Sequence, residues 1–107
     1  MKRHGNSKKN HKPHHLYEIR DKKDDDIFKY GISDNPIGKD GLSKRIRAQT
    51  SFLNLAVGWV RYFAKILIRN IPGRERAQKI EDEFIDGYRE KHGKKPRGNI
   101  KGGKIDK

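Results

Sequence analysis

Apolar and polar residues alternate with two different periods along this chain, and each change of period marks a predicted element. Leu16, Tyr17 and Ile19 form a short strand-like run, and the apolar positions within residues 27–32 form a second. The polar stretch between them, residues 21–26, is typical of a hairpin loop. The first third of the chain therefore predicts two antiparallel strands.

From Leu42 onward the apolar residues recur at about 100° per residue, which is the spacing of a helix. The predicted helix covers residues 42–57, and Gly58 is a suitable end. Two polar residues, Arg45 and Gln49, fall inside its apolar arc, and Phe52 lies at the edge. The arc itself is formed by Leu42, Ile46, Leu53, Ala56 and Val57.

A third strand and a second helix complete the predicted order. Residues 60–68 alternate as a strand does, and Pro72-Gly73 separates them from a helix over about residues 73–91 that ends at Gly93. The apolar face of this helix is formed by Ala77, Ile80, Phe84, Ile85 and Tyr88. The order β-β-α-β-α predicts an α+β fold, a small three-stranded antiparallel sheet with packed helices.

Charge divides the chain into a middle and two ends. The 107 residues carry a net charge of +13 and only 31% hydrophobic residues, which fits one domain with a small core. Residues 1–15 hold five Lys/Arg and no acid, and residues 94–107 hold six Lys/Arg and one acid. We therefore expect a basic disordered tail over residues 1–14, a domain over residues 15–99 and a basic C-terminal tail over residues 100–107.

Three classes of protein are disfavoured by composition. The chain has no cysteine, which excludes disulfides, thiolate metal sites and a cysteine nucleophile. Its polar, basic N-terminus lacks the apolar segment of a secretory signal. No run approaches the roughly 18 apolar residues that span a bilayer, so we expect no membrane partner.

Glu81 is the most unusual charge in the predicted helices, because it falls in the middle of the apolar face of the second helix. An unpaired buried carboxylate costs several kcal/mol, so a cation is expected beside it. One candidate is Arg45, which would give a purely structural buried ion pair. The other is a metal ion held largely by water, as Mg²⁺ often is.

Tyr17, Lys29 and Tyr30 lie on adjacent predicted strands. A hairpin loop centred near Lys23 would make Tyr17 and Lys29 cross-strand neighbours with side chains on the same face. A nearby cation lowers the pKa of a phenol, and a phenol with a lowered pKa suits a general base. Ordinary sheet packing is the alternative interpretation of these residues.

Several short segments in a fixed order carry a family resemblance. They are Tyr17 in the first strand, Lys29-Tyr30-Gly31-Ile32-Ser33 in the second, Leu42-Ser43-Lys44-Arg45 at the start of a helix, Ala77-Gln78-Lys79-Ile80-Glu81 in the late helix, and Pro96 followed by Asn99. With this order and spacing the sequence resembles the GIY-YIG nuclease superfamily over residues 16–99. Within that superfamily it looks like the compact nuclease domains at the C-terminal ends of bacterial polymorphic toxins.

The resemblance implies three principal roles. Tyr17 matches the tyrosine that is proposed to activate the attacking water, although His15 and Leu16 stand where the family has Gly-Ile. Arg45 matches the helix arginine that binds the scissile phosphate. Glu81 matches the single glutamate that binds the metal, expected to be Mg²⁺ or Mn²⁺.

The resemblance also implies supporting roles. Gly31 matches the glycine of the second motif, and Asn99 matches an asparagine that supports the site structurally. Lys29 stands where most members have a second tyrosine, and Tyr30 follows one position later. Either Lys29 or Tyr30 can therefore assist the base.

The expected function is a metal-dependent endonuclease that hydrolyses phosphodiester bonds, favours DNA over RNA and serves as an antibacterial toxin domain. Basic residues after the second helix are expected to form one wall of a nucleic-acid groove: Lys94, Lys95, Arg97 and Lys101. No base-reading element stands out, so weak sequence specificity is expected.

A toxin of this kind implies a cognate inhibitor, which we expect to be an acidic immunity protein. The chain is expected to be a monomer and a secreted or injected effector domain that acts in the cytoplasm of a target cell. A non-catalytic RNA- or ribosome-binding module is the alternative function, because a charge of +13 and basic ends fit it equally well.

Overall fold

The computed structural model describes residues 10–99 and has the predicted β-β-α-β-α order. Its elements are β1 (Pro13–Asp21), β2 (Asp26–Ser33), α1 (Lys44–Val57), β3 (Tyr62–Pro72), α2 (Arg74–His92) and a short 3-10 turn (Arg97–Asn99). The strands form one antiparallel sheet in the order β2-β1-β3, so the expected α+β class is confirmed. Residues 1–9 and 100–107, which make up most of the two predicted tails, lie outside the described residues.

The boundaries of the elements differ from the prediction mainly in the strands. β1 begins at Pro13, three residues before the predicted start, so the last two residues of the predicted tail belong to the sheet. β3 begins at Tyr62 and extends to Pro72. The helices agree with the prediction to within two residues at each end, because Gly58 and Gly93 end them in the left-handed conformation, with φ of 81° and 80°.

The register of the β1–β2 hairpin differs from the predicted one. Tyr17 pairs with Gly31, and Lys29 pairs with Ile19. The predicted direct pair of Tyr17 with Lys29 is therefore wrong, because the register shifts at an irregularity after Ile19 that a symmetric hairpin does not have. Tyr17 and Ile19 are two positions apart on β1, so Tyr17 and Lys29 still share one face of the sheet, as predicted.

The two faces of the sheet carry separate apolar clusters, each covered by one helix. On the α1 face the buried members are Tyr17, Ile19, Phe28, Ile46 and Tyr62, with Leu42, Leu53, Ala64 and Ile66 packed against them. On the α2 face the buried members are Leu16, Ile32, Ile71 and Ala77, with Leu67, Ile68, Ile80 and Phe84 packed against them. β1 thus lies at the centre of a thin three-layer domain.

A buried aspartate joins three elements at one end of the sheet. Asp21, at the end of β1, accepts two hydrogen bonds of 2.7 Å from Arg61 and one of 2.6 Å from Arg97. Its side chain is fully buried, and the hydrogen bonds from Arg61 hold the pKa of its carboxyl below the usual range. The guanidinium of Arg97 also lies 5.4 Å from the centre of the Phe28 ring. Asp21 therefore fastens the chain after α2 to the sheet.

Candidate active site

Tyr17 is the buried centre of the candidate site. Its side chain, 1% exposed, lies across Gly31, the residue opposite it on β2. A Cβ atom at position 31 would overlap Cζ and Oη of the ring and would lie 2.9 Å from Cε1. Glycine is therefore required at this position for Tyr17 to keep its orientation, which gives the motif glycine a physical role.

The hydroxyl of Tyr17 reaches α1, where it donates a hydrogen bond of 3.1 Å to Oε1 of Gln49. Gln49 was not among the predicted site residues. It was detectable as a polar residue inside the apolar arc of the predicted helix, one turn after Arg45. The hydrogen bond fixes the hydroxyl while leaving oxygen lone pairs to accept a bond from water.

Four predicted site residues from four elements act on one another through their charges, although α2 covers the face of the sheet opposite Tyr17 and Lys29. Tyr17 is on β1, Lys29 on β2, Arg45 on α1 and Glu81 on α2. The charges of Arg45 and Glu81 each act on the pKa values of both Tyr17 and Lys29. Four residues that are far apart in sequence thus form one electrostatic group.

Burial is the largest influence on the pKa values of Tyr17 and Lys29. It raises the pKa of the Tyr17 phenol, while the hydrogen bond to Gln49 and the charge of Arg45 act in the opposite direction. The predicted lowering of this pKa by a neighbouring cation is therefore wrong, because removal of the ring from water outweighs the charge of Arg45. Burial also lowers the pKa of Lys29, and the charge of Arg45 adds to this effect.

Glu81 is half-buried and lacks a direct partner in the described part of the chain. Within residues 10–99, no hydrogen bond and no ion pair within 4.0 Å reaches its carboxylate. Burial and the charge of Asp82 raise the pKa of this carboxyl, against the opposite effect of Lys29 and Arg74. The predicted buried ion pair with Arg45 is wrong, because Arg45 is exposed on the first turn of α1.

The carboxylate of Glu81 fits a metal ion that keeps most of its water. Among the described residues, no group of three or more His, Cys, Asp or Glu side chains is placed to hold a metal. Mg²⁺ is commonly bound through one or two carboxylates, with water and substrate phosphates as its other ligands. A half-buried carboxylate without a direct partner is consistent with such a site.

Tyr30 lies on the other face of the sheet from Tyr17. Its ring packs edge-on against Phe84 of α2, with centroids 5.4 Å apart. Lys29 is therefore the member of the pair that shares a face with Tyr17, and the catalytic role of either residue remains a prediction. The cause is the two-residue period of β2, which sends neighbouring side chains to opposite faces.

Asn99 supports β2 from outside the sheet. Its side-chain amide accepts a hydrogen bond of 2.8 Å from the Tyr30 N–H and donates one of 2.8 Å to the Tyr30 carbonyl. These two bonds replace the partners that a further strand would supply to this edge. Asn99 therefore holds the strand that carries Lys29 and Gly31.

The predicted basic wall is only partly described. Lys94 and Lys95 are exposed in the segment that follows α2. Arg97 forms an ion pair with Asp21, which is a structural contact. The sequence did not predict it, because the two residues are 76 positions apart. Lys101 lies outside the described residues. A role for these side chains toward nucleic acid remains a prediction.

Comparison with known proteins gives a family but no individual relative. The comparison with curated proteins and the comparison with solved structures each gave no match. Within residues 10–99, no helix is long and apolar enough to span a membrane. The family model Tox-URI2, described as URI fold toxin 2, matches residues 7–93, which cover most of the chain and both helices. The chain therefore belongs to the URI fold toxin 2 family.

Proposed function

We propose that this toxin domain is a metal-dependent endonuclease of the GIY-YIG type, with DNA as its favoured substrate. The observation that carries the proposal is the grouping of Tyr17, Lys29, Arg45 and Glu81 from four separate elements. Phosphodiester hydrolysis needs a proton acceptor, cationic donors for the phosphate and a place for a metal ion. These four side chains provide each of them.

Arg45 and Lys29 are the residues that bind and orient the phosphate. The guanidinium of Arg45 is exposed and presents a planar set of donors that suits two phosphate oxygens. Lys29 is half-buried and feels the charge of Arg45, and its ammonium adds positive charge where the phosphate gains negative charge in the transition state. The charges of Lys29 and Arg74 oppose the negative charge of Glu81.

Tyr17 is the residue that orients water and accepts its proton. Gln49 engages the phenolic hydrogen, so a lone pair of the oxygen can face the attacking water. Only the phenolate of Tyr17 can take the proton, because the neutral phenol donates its own hydrogen to Gln49. Burial raises the pKa of this phenol, so the phenolate is scarcer than in a free tyrosine and its share grows as the pH rises. Glu81 would hold the divalent ion, which when bound supplies Lewis-acid stabilisation of the phosphate and of the leaving oxygen.

Plasmid cleavage in Mg²⁺ or Mn²⁺ tests the proposal directly. We expect the full chain to cleave plasmid and linear DNA, and EDTA to abolish cleavage. Glu81→Ala should lower the rate by roughly a hundredfold or more, as does the removal of one transition-state-stabilising group from other enzymes. The matched control is Glu83→Ala, an exposed carboxylate on the same helix, which should keep the rate.

The outcomes separate the alternatives. Full activity of Glu81→Ala would contradict the metal role. Cleavage of total RNA in preference to DNA would contradict the proposal that DNA is the favoured substrate. Tight binding without any cleavage, unaffected by combined substitution of Tyr17, Arg45 and Glu81, would favour the non-catalytic RNA- or ribosome-binding module.

We propose that the toxin acts inside a target cell and that its producer carries an acidic immunity protein. Membership of a toxin family suggests a cognate immunity protein. An acidic surface is the complement of a chain with a net charge of +13. Cytoplasmic expression of the wild type should arrest bacterial growth, whereas Glu81→Ala should not. Growth of both strains at equal rates, with equal amounts of protein, would contradict the toxic role of the site.

A further inference from the structure

A small cavity opens beside the Tyr17–Gln49 hydrogen bond, on the α1 side of β2. Its volume is about 190 Å³, and it is lined by Ile19, Phe28, Lys29, Gln49, Phe52, Leu53 and Gly98. Aromatic and aliphatic side chains form most of its wall. Lys29 and Gln49 supply polar groups on the side that faces the candidate active site.

Three residues of α1 connect this cavity to the phosphate-binding position. Arg45, Gln49 and Phe52 occur at positions i, i+4 and i+7, so they follow one face of the helix. At 1.5 Å per residue the row is roughly 10 Å long. Along it lie an exposed guanidinium, the amide that holds Tyr17, and the ring of Phe52 at the cavity.

The walls of the cavity suit one flat aromatic group. At ~30 Å³ per water molecule, the volume corresponds to about six waters, which is the scale of a single heteroaromatic ring system and too small for a whole nucleotide. Phe52 is 65% exposed, so its ring is free to stack on an incoming group. The amide nitrogen of Gln49 can still donate hydrogen bonds, because Tyr17 uses only its oxygen.

Gly98 shapes the side of the cavity opposite α1. A Cβ atom at this position would lie 2.7 Å from the Phe28 ring and 2.9 Å from Cβ of Lys29. The glycine therefore lets the segment after α2 close directly onto β2. That same segment carries the exposed Lys94 and Lys95.

We propose that this cavity binds one unpaired nucleobase next to the phosphate held by Arg45, so that the enzyme engages single-stranded or unpaired segments of its substrate. A base inside a duplex is stacked on both faces and must leave the stack to enter such a cavity. Stacking on an exposed aromatic ring tolerates any base, which agrees with weak sequence specificity. The position of the phosphate rests on the proposed nuclease function, but binding of the base does not require cleavage.

The test measures binding without metal, in EDTA, with the full chain. Fluorescence anisotropy compares a labelled single-stranded DNA oligonucleotide with a strand of equal length in which every nucleotide is abasic. Both strands carry the same phosphates, so the difference in Kd isolates the bases. We expect the wild type to bind the base-bearing strand more tightly.

Phe52→Ala should remove this preference. Stacking on an aromatic side chain is worth ~1–3 kcal/mol per base, so the Kd for the base-bearing strand should rise at least about fivefold. The Kd for the abasic strand should stay unchanged. Phe52→Trp should keep the preference. Leu55→Ala is the matched control, because Leu55 is an exposed apolar residue of the same helix that does not line the cavity, and it should change neither Kd.

Equal effects of Phe52→Ala on both strands, or no effect on either, would overturn the inference. A cleavage assay in Mg²⁺ on the same strands separates it from the proposed function. Base preference without cleavage would support the cavity and contradict the nuclease. Cleavage without base preference would support the nuclease and contradict the cavity.

Discussion

A single glycine decides whether the central tyrosine of this domain can take its position. The ring of Tyr17 occupies the space that any side chain at position 31 would need. The sequence identified Gly31 through a motif, but only the structure supplies the physical reason. The reason is invisible in sequence because it depends on a pairing register that the irregularity after Ile19 sets.

The two charges that the sequence singled out had different outcomes. A helical wheel placed both Glu81 and Arg45 on apolar faces. Glu81 is half-buried as a wheel predicts, whereas Arg45 is exposed. A helical wheel gives the direction of a side chain, but it does not say how much of the helix the sheet covers. Arg45 is the second residue of α1, where its long side chain can reach water.

Replacement of Glu81 by glutamine should raise stability while it removes activity. Without metal, the half-buried carboxylate of the wild type has no direct partner among residues 10–99, and burial disfavours its charged form. Glutamine has nearly the same size and no charge. We therefore expect a higher melting temperature for Glu81→Gln at pH 7 in EDTA, with about 4–8 °C for each 1 kcal/mol gained.

The direction of the pKa shift of Glu81 determines how the stability gain of Glu81→Gln should change with pH. Since burial and Asp82 raise the pKa of Glu81, the folded state binds the proton more tightly than the unfolded state does. The Glu81 carboxyl therefore destabilises the folded chain as the pH rises above about 4.3, the ordinary pKa of glutamate. The charges of Lys29 and Arg74 reduce this destabilisation, because they favour the ionised form. The gain from Glu81→Gln should be large at pH 7 and should vanish near pH 4. A loss of stability at pH 7 would contradict this prediction, because it would mean that the charges of Lys29 and Arg74 outweigh the burial of the carboxylate.

At the scale of the elements, local signals located the helices and strands, but not the contacts between their ends. Glycines in the left-handed conformation mark the ends of both helices, and alternation marks the strands. The links of Asp21 to Arg61 and to Arg97 span 40 and 76 residues. The sequence placed Asp21 in a polar loop and Arg97 in a groove wall, since no local pattern records which distant charges will meet.

Asp21→Ala should destabilise the domain strongly at neutral pH. The substitution leaves Arg61, whose side chain is 13% exposed, without its main partner, and removal of one partner from a buried ion pair costs about 3–5 kcal/mol. Urea unfolding at pH 7 measures the change. Asp24→Ala is the matched control. Asp24 is 55% exposed and lies 3.8 Å from Arg61, so its loss should cost less than about 1 kcal/mol.

Acid should remove the contribution of Asp21 from the wild type. The hydrogen bonds from Arg61 lower the pKa of this carboxyl, so its stabilisation is present above about 3.9, the ordinary pKa of aspartate, and is lost as the pH falls through the folded value. The difference between wild type and Asp21→Ala should therefore shrink below pH 4. An equal difference at pH 7 and at pH 3 would show that the ion pairs contribute nothing.

At the scale of the whole molecule, the net charge and the candidate chemistry lie in different parts of the chain. Residues 16–93 carry 16 basic and 13 acidic side chains, so most of the charge of +13 belongs to the two ends. The four-residue group lies within the near-balanced part. Affinity for phosphates and the cleavage step should therefore respond to different substitutions.

Neutralising the C-terminal lysines should weaken binding without slowing the reaction. Replacement of Lys101, Lys104 and Lys107 by glutamine removes up to three phosphate contacts. Each lost contact lowers the slope of log Kobs against log salt by about 0.9 for duplex DNA. We expect a slope reduced by up to about 3, a higher KM at physiological salt, and an unchanged kcat at saturating DNA in low salt.

The same lysines replaced by arginine keep the charge and should keep the wild-type slope, because counterion release depends on charge. A lower kcat in the glutamine variant at saturating DNA would place the C-terminal lysines in the chemistry itself and would contradict this division between attraction and catalysis.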